Sequence, residues 1–210
     1  MKLFDAPWAP SPRRVRIFVA EKGIEIERVV LDLRTGAHLQ PPYSEMNPRG
    51  QVPALLLDDG TLIDDSVAIC RYLEAIHPQP PLFGRNPCEA GIIEAWNRRI
   101  DSDCYTAVMS AFRNSVPSFA DRALSGQWPP IAQIPALAER GRLMWGAFIA
   151  IFDARLASVE YVAGDAFSFA DIVALVAVDF GIATRLPDPR DHPSIARWHA
   201  LVSTRPSASA

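Results

Sequence analysis

The chain has 210 residues, 49% of them hydrophobic and 21% charged, with a net charge of −3. That balance supplies enough apolar surface to offset chain entropy and excludes disorder of the whole chain. It also argues against a nucleic-acid binder, which needs clustered cations to meet phosphates.

Met1-Lys2-Leu3-Phe4-Asp5 meets an acid, and then Pro7, before an apolar run can form, so no secretory signal is expected. The longest apolar stretch, 172–178, is too short to span a bilayer. Cys70, Cys88 and Cys104 form an odd set without a CxxC pair or metal-ligand spacing. A reducing, cytoplasmic setting without a bound metal is expected, with all three cysteines packing helices.

Along the chain, 2–6 reads as a strand, 7–12 as a loop, and 13–22 as a helix that places Val15, Phe18 and Val19 at helical spacing before Gly23 stops it. Residues 25–31 alternate and are β-branched, which predicts a second, parallel strand reached by a right-handed crossover. Segments 54–58 and 61–63 flank Asp59-Gly60, a strong hairpin signal. A helix over 66–76 then closes the domain with Ile69, Leu73 and Ile76 on one face. The order βαβ then ββα is the thioredoxin-like topology.

Four prolines, Pro78, Pro80, Pro81 and Pro87, forbid a continuing helix, so 1–77 is expected to be one domain, 78–87 a stiff linker and 88–210 a second domain. In the second domain 88–115, 135–156, 169–185 and 193–204 all read as helices, and 172–180 is apolar nearly all round, as suits the centre of a bundle. Ser168-Phe169-Ala170-Asp171 is a capping box carrying folding information. The Ser-Ala-Ser-Ala end is expected to fray. The fold class is therefore α/β followed by all-α.

Three places bear chemistry. Ser11, with Pro12 in the first helical position, is expected to cap the first helix, and an amino end of this kind also attracts anions. A thiol titrates at about pH 8.5, and lowering that by two units takes about 2.7 kcal/mol. A charged hydrogen bond of about 1.5–3 kcal/mol plus a dipole contribution of about 0.3–1 kcal/mol suffices. Val52-Pro53 is an unusual entry to a sheet, because proline donates nothing to the ladder. A cis peptide, the minority state of X–Pro bonds, would account for it and would turn the Val52 amide and carbonyl outward toward an extended peptide. Asp64-Asp65-Ser66 either caps the third helix or receives an amino-acid head group, carboxylate to ammonium and Ser66 to carboxylate.

Together, the segments 10–16, 47–55, 65–74 and 167–172 resemble the cytosolic glutathione transferase superfamily, in its theta-related, yeast GTT-type branch. The resemblance implies that Val52 pairs with the cysteinyl backbone of glutathione ahead of cis-Pro53, beside Gln51, while Asp65 and Ser66 hold the γ-glutamyl end and His38 meets the glycyl carboxylate. Ala9 stands where theta-like and zeta-like members keep a catalytic serine, so Ser11, helix amides or a held water take over the thiol. Trp8, Pro10, Tyr105, Met109, Phe112 and Arg113 are implied to line the pocket of the second substrate; Tyr105, Met109 and Phe112 share one helical face. The implied protein is a homodimer that conjugates glutathione to apolar electrophiles in detoxification. A non-catalytic glutathione-binding module and a glutathione-dependent lyase or dehalogenase are the alternatives.

Overall fold

The computed structural model describes residues 1–210, which divide into two compact units: Met1–Pro80 with Leu124–Pro129 and Ala210, and Pro81–Ala123 with Pro130–Ser209.

The first unit holds strands β1 (Lys2–Asp5), β2 (Glu27–Val30), β3 (Ala54–Leu56) and β4 (Leu62–Ile63) in the sheet order β2-β1-β3-β4. β1 runs parallel to β2 and antiparallel to β3, and β3 antiparallel to β4, with Phe4 opposite both Val29 and Ala54. Helices α1 (Pro10–Lys22), α2 (Tyr43–Met46) and α3 (Ser66–Ile76) complete the unit. The thioredoxin-like order expected from the sequence is present. α1 ends where Gly23 takes the left-handed conformation (φ 61°) and lets the Gly23 and Ile24 amides close back on Ala20 and Val19. Val15, Ile17 and Phe18 on α1 pack in the core with Leu3, Leu55, Ile69 and Leu73.

Charge also organises this unit. Asp5, fully buried at the end of β1, accepts from Arg16 at 2.7 Å and from Arg28 at 2.5 Å. The same Arg16 reaches the Pro7 carbonyl at 3.1 Å, fixing the loop between β1 and α1. A buried ion pair is a weak source of net stability but a strong constraint on geometry. Lys22 pairs with Glu74 at 2.5 Å and donates to the His77 carbonyl at 2.8 Å, tying the end of α1 to the exit of α3.

The second unit is helical: α4 (Pro87–Arg99), α5 (Thr106–Arg113), α6 (Pro135–Leu156), α7 (Phe169–Ala183) and α8 (Pro193–Ser203). α7 is buried almost all round, as its sequence predicts. The capping box is formed: Asp171, fully buried, accepts from the Ser168 amide at 3.0 Å, the Val162 amide at 2.9 Å and the Trp198 indole at 2.9 Å. Gly181 on α7 makes room for Trp145 of α6, since a methyl there would lie 2.3 Å from the indole ring.

Several expectations are corrected. The single helix expected over 88–115 is interrupted at Ile100–Tyr105, which is π-helical, its widened turn closed by Thr106 donating from both amide and hydroxyl to the Asp101 carbonyl. Cys70 and Cys104 pack inside as expected, but Cys88, on the first turn of α4, is exposed. The tail does not fray at once: Pro206–Ser209 forms a 3₁₀ turn closed by Ala208 donating to Arg205 at 3.0 Å, with Ser207 buried. No helix is long and apolar enough to cross a membrane.

Candidate active site

The first helix starts earlier than its sequence suggests. Its N-cap is Ala9, Pro10 is the first helical residue, and no side chain caps it. Ser11 is therefore not the N-cap expected; it sits one residue inside the helix, because Pro10 fixes the helical φ before Ser11 is reached. The correction has a chemical consequence. Among the first three helical residues, Pro10 and Pro12 have no N–H, and the Arg13 amide already donates to Ala9 at 3.4 Å. Of these three residues only Ser11 carries an amide N–H, and it brings a hydroxyl as well. Ala9 presents only a methyl group.

The Val52–Pro53 peptide is cis, and neither the amide nor the carbonyl of Val52 enters a hydrogen bond within the protein. The residue before it is held firmly. The Gln51 carbonyl accepts from the Asn47 carboxamide at 3.0 Å and from the Tyr43 hydroxyl. Tyr43 and Asn47 are both buried, and the Asn47 side chain also accepts from the Arg49 amide at 3.2 Å. Burial pushes the Tyr43 phenol up to about 12, so it stays a donor across neutral pH. The sequence by itself gives neither residue a role. Asn47-Pro48 carries a turn signal that points to Asn47, whereas Tyr43, alone among prolines and polar residues, carries none.

Asp65 caps α3, accepting from Val67 at 2.8 Å and Ala68 at 3.0 Å. Capping and head-group binding are compatible, because a carboxylate has further lone pairs. Ser66 follows it, largely buried at the first helical position. Beside them Arg49 pairs with Asp64 at 3.4 Å and donates to the Gln51 side-chain oxygen at 3.1 Å. His38 lies in a 3₁₀ turn, Ala37–Leu39, and is only 7% exposed, so it is not a solvated loop histidine. Trp8, 73% exposed, stands in the loop before α1 with the Arg34 guanidinium 5.1 Å from its ring, and Pro10 follows at the helix start.

In the helical unit, Tyr105, Met109, Phe112 and Arg113 are each partly exposed. Phe112 packs edge-on against Phe180 at 5.5 Å and Phe119 at 5.1 Å, and Tyr105 lies 6.1 Å from Phe180. Arg113 sits 4.6 Å over the Phe119 ring and donates to the Arg122 carbonyl at 2.7 Å. Burial, and then Arg122, lower its pKa. Phe119 and Phe180 thus join a face that the sequence credits to Tyr105, Met109 and Phe112 alone. Cys70 is no rival nucleophile, since burial pushes its thiol well above the ordinary value.

Comparison with known proteins decides the family. The glutathione S-transferase N-terminal domain family matches residues 8–76 and the glutathione S-transferase C-terminal domain family matches residues 144–206. Glutathione S-transferase 2 of Saccharomyces cerevisiae is 32% identical, over 99% of this chain and 87% of its own length. The chain belongs to the glutathione S-transferase family. Among solved transferase structures, Gtt2 of Saccharomyces cerevisiae superposes with a TM-score of 0.88 at 32% identity, covering 99% of this chain and 98% of its own. A class Gtt2 glutathione S-transferase of Vibrio parahaemolyticus gives 0.84 at 35% identity, covering 99% and 95%. The transferase is thus of the GTT-type branch that its sequence resembles.

Proposed function

We propose that this glutathione S-transferase binds glutathione as the thiolate beside Ser11 and adds its sulfur to an apolar electrophile. The reaction forms one carbon–sulfur bond as the thiolate attacks an electrophilic carbon; the displaced group leaves with its electron pair and the thiol proton passes to solvent. Val52 pairs through its amide and carbonyl with the cysteinyl unit, Gln51 and Pro53 frame that contact, Asp65 and Ser66 take the γ-glutamyl end, and His38 takes the glycyl carboxylate. For the electrophile the resemblance nominates Trp8, Pro10, Tyr105, Met109, Phe112 and Arg113. The resemblance carries with it a cytoplasmic homodimer acting in detoxification.

The observation that carries this reading is Val52: a residue with both backbone hydrogen-bonding groups uncommitted, next to a cis proline and behind a doubly held carbonyl. Such groups are strong hydrogen-bonding partners open to an extended peptide.

Ala9 favours a second reading, a binding module without turnover, because it removes the hydroxyl expected at the thiol. Titration calorimetry with glutathione, together with conjugation of an activated chloronitroarene, separates the two. Binding with thiol-dependent turnover is expected; binding without turnover over a broad panel leaves only the module, and no heat of binding overturns both.

A further inference from the structure

Leu124–Pro129 belongs in sequence to the helical half, yet its six residues pack with the first unit. The chain is pinched at the base of this loop, where the Ala123 amide donates to Ile131 at 3.1 Å and the Ile131 amide to Asp121 at 2.9 Å. A loop closed at its neck projects its tip as a compact unit.

The tip meets the segment proposed to bind glutathione. The Gln127 amide donates to the Arg49 carbonyl at 2.8 Å, and the Gln51 carboxamide donates to the Ser125 carbonyl at 3.1 Å. The other end of that carboxamide accepts from Arg49, so both ends of Gln51 are occupied and its orientation is set. The Ser125 carbonyl accepts a second bond, from the Trp128 indole at 2.9 Å, which fills its two lone pairs. Gly126 makes the approach possible. Its φ is +92°, and a methyl group there would lie 2.5 Å from the Arg49 carbonyl oxygen.

We infer that Leu124–Pro129 is a strap that holds residues 49–52 in the conformation that pairs with glutathione. This rests on the glutathione reading of Val52. The strap touches no reacting atom; Ser125, Gly126 and Gln127 are positioning residues acting through Gln51 and the Arg49 backbone. Because docking and binding favour one conformation of the same segment, each strengthens the other, and such coupling is reciprocal.

The test uses Gly126→Ala in the full chain, with Gly164→Ala as a control that carries the same kind of backbone cost (φ +151°) in open space. Gly126→Ala is expected to raise the Kd and KM for glutathione about 10-fold with kcat near wild type, within the usual range of coupling between sites; Gly164→Ala is expected to leave both alone. In the wild type, saturating glutathione is expected to slow hydrogen exchange at the Gln127 amide. Trp128→Phe, at a residue 58% exposed and so tolerant of change, is a second variant expected to weaken glutathione binding in the same direction.

Wild-type binding with an unchanged Kd in Gly126→Ala would overturn the strap and leave the glutathione site intact, as would a Gln127 amide indifferent to glutathione. A wild type that binds no glutathione overturns the site reading first and the strap with it.

Discussion

The Trp198 indole donates to the Asp171 carboxylate at 2.9 Å across 27 residues of sequence, joining α8 to the capping box of α7. The same carboxylate accepts from the Val162 and Ser168 amides. Asp171→Ala leaves three N–H donors unpaired inside the helical unit, at about 1–3 kcal/mol each. A loss of about 3 kcal/mol or more in urea unfolding is expected, and a loss below about 1 kcal/mol is incompatible with this account. Burial raises the Asp171 pKa despite these bonds. The folded chain therefore keeps a proton that the unfolded chain has released, and stability contributed here falls as pH rises from about 4 through the raised value.

Ser11 is the one residue of the first three in α1 with an N–H, and it also brings a hydroxyl. Ser11→Ala keeps the amide and removes the hydroxyl. A rise in the thiol pKa of bound glutathione and a conjugation rate about 10-fold lower are expected from loss of a charged hydrogen bond. The pH–rate profile is the measurement. If it does not move, the Ser11 amide or a water holds the sulfur.

Asp65 serves its own helix as well as the proposed ligand, so alanine alone confuses two effects. Asparagine caps as well as aspartate, and Asp65→Asn removes only the charge. A Kd for glutathione at least about 10-fold higher with little change in Tm is expected. Asp65→Ala should add about 1 kcal/mol of lost stability. Equal loss of affinity and maximal rate would remove Asp65 from the head-group site.

Tyr43 keeps its proton to about pH 12 when folded, against about 10 in an unfolded chain. Between those values the folded state holds the extra proton, so the Tyr43 contribution to stability drains away as pH climbs from about 10 to about 12. Tyr43→Phe flattens that part of the alkaline stability curve. Because Asn47 still holds the Gln51 carbonyl, the expected loss in glutathione affinity is only about 5-fold, near 1 kcal/mol. Calorimetry and alkaline denaturation check the two halves.

Turns and periodicity made most of the fold readable: Gly23, Asp59-Gly60 and the capping box are local signals, and each acts where it stands. Pro10 misled because two prolines two apart satisfy the same rule for a helix start, and only the first governs. The widened turn before Thr106 is invisible to periodicity, since one extra residue in a turn shifts the pattern without breaking it. In the site, Val52-Pro53 and Asp65-Ser66 lie in motifs. Tyr43 and Ser125 act through a hydroxyl and a backbone carbonyl on residues eight and 74 positions away. Such long closures leave no mark on the segments they join.

The π-helical turn at Ile100–Tyr105 acts as a gearing between α4 and α5. Each residue advances a helix by about 100°, so removing one from this turn would swing the ring of Phe112 about a quarter-turn away from Phe180. The orientation of that aromatic face is thus written in the length of the preceding chain as much as in its side chains, so a one-residue insertion or deletion there re-aims the whole face at once, which no point substitution does.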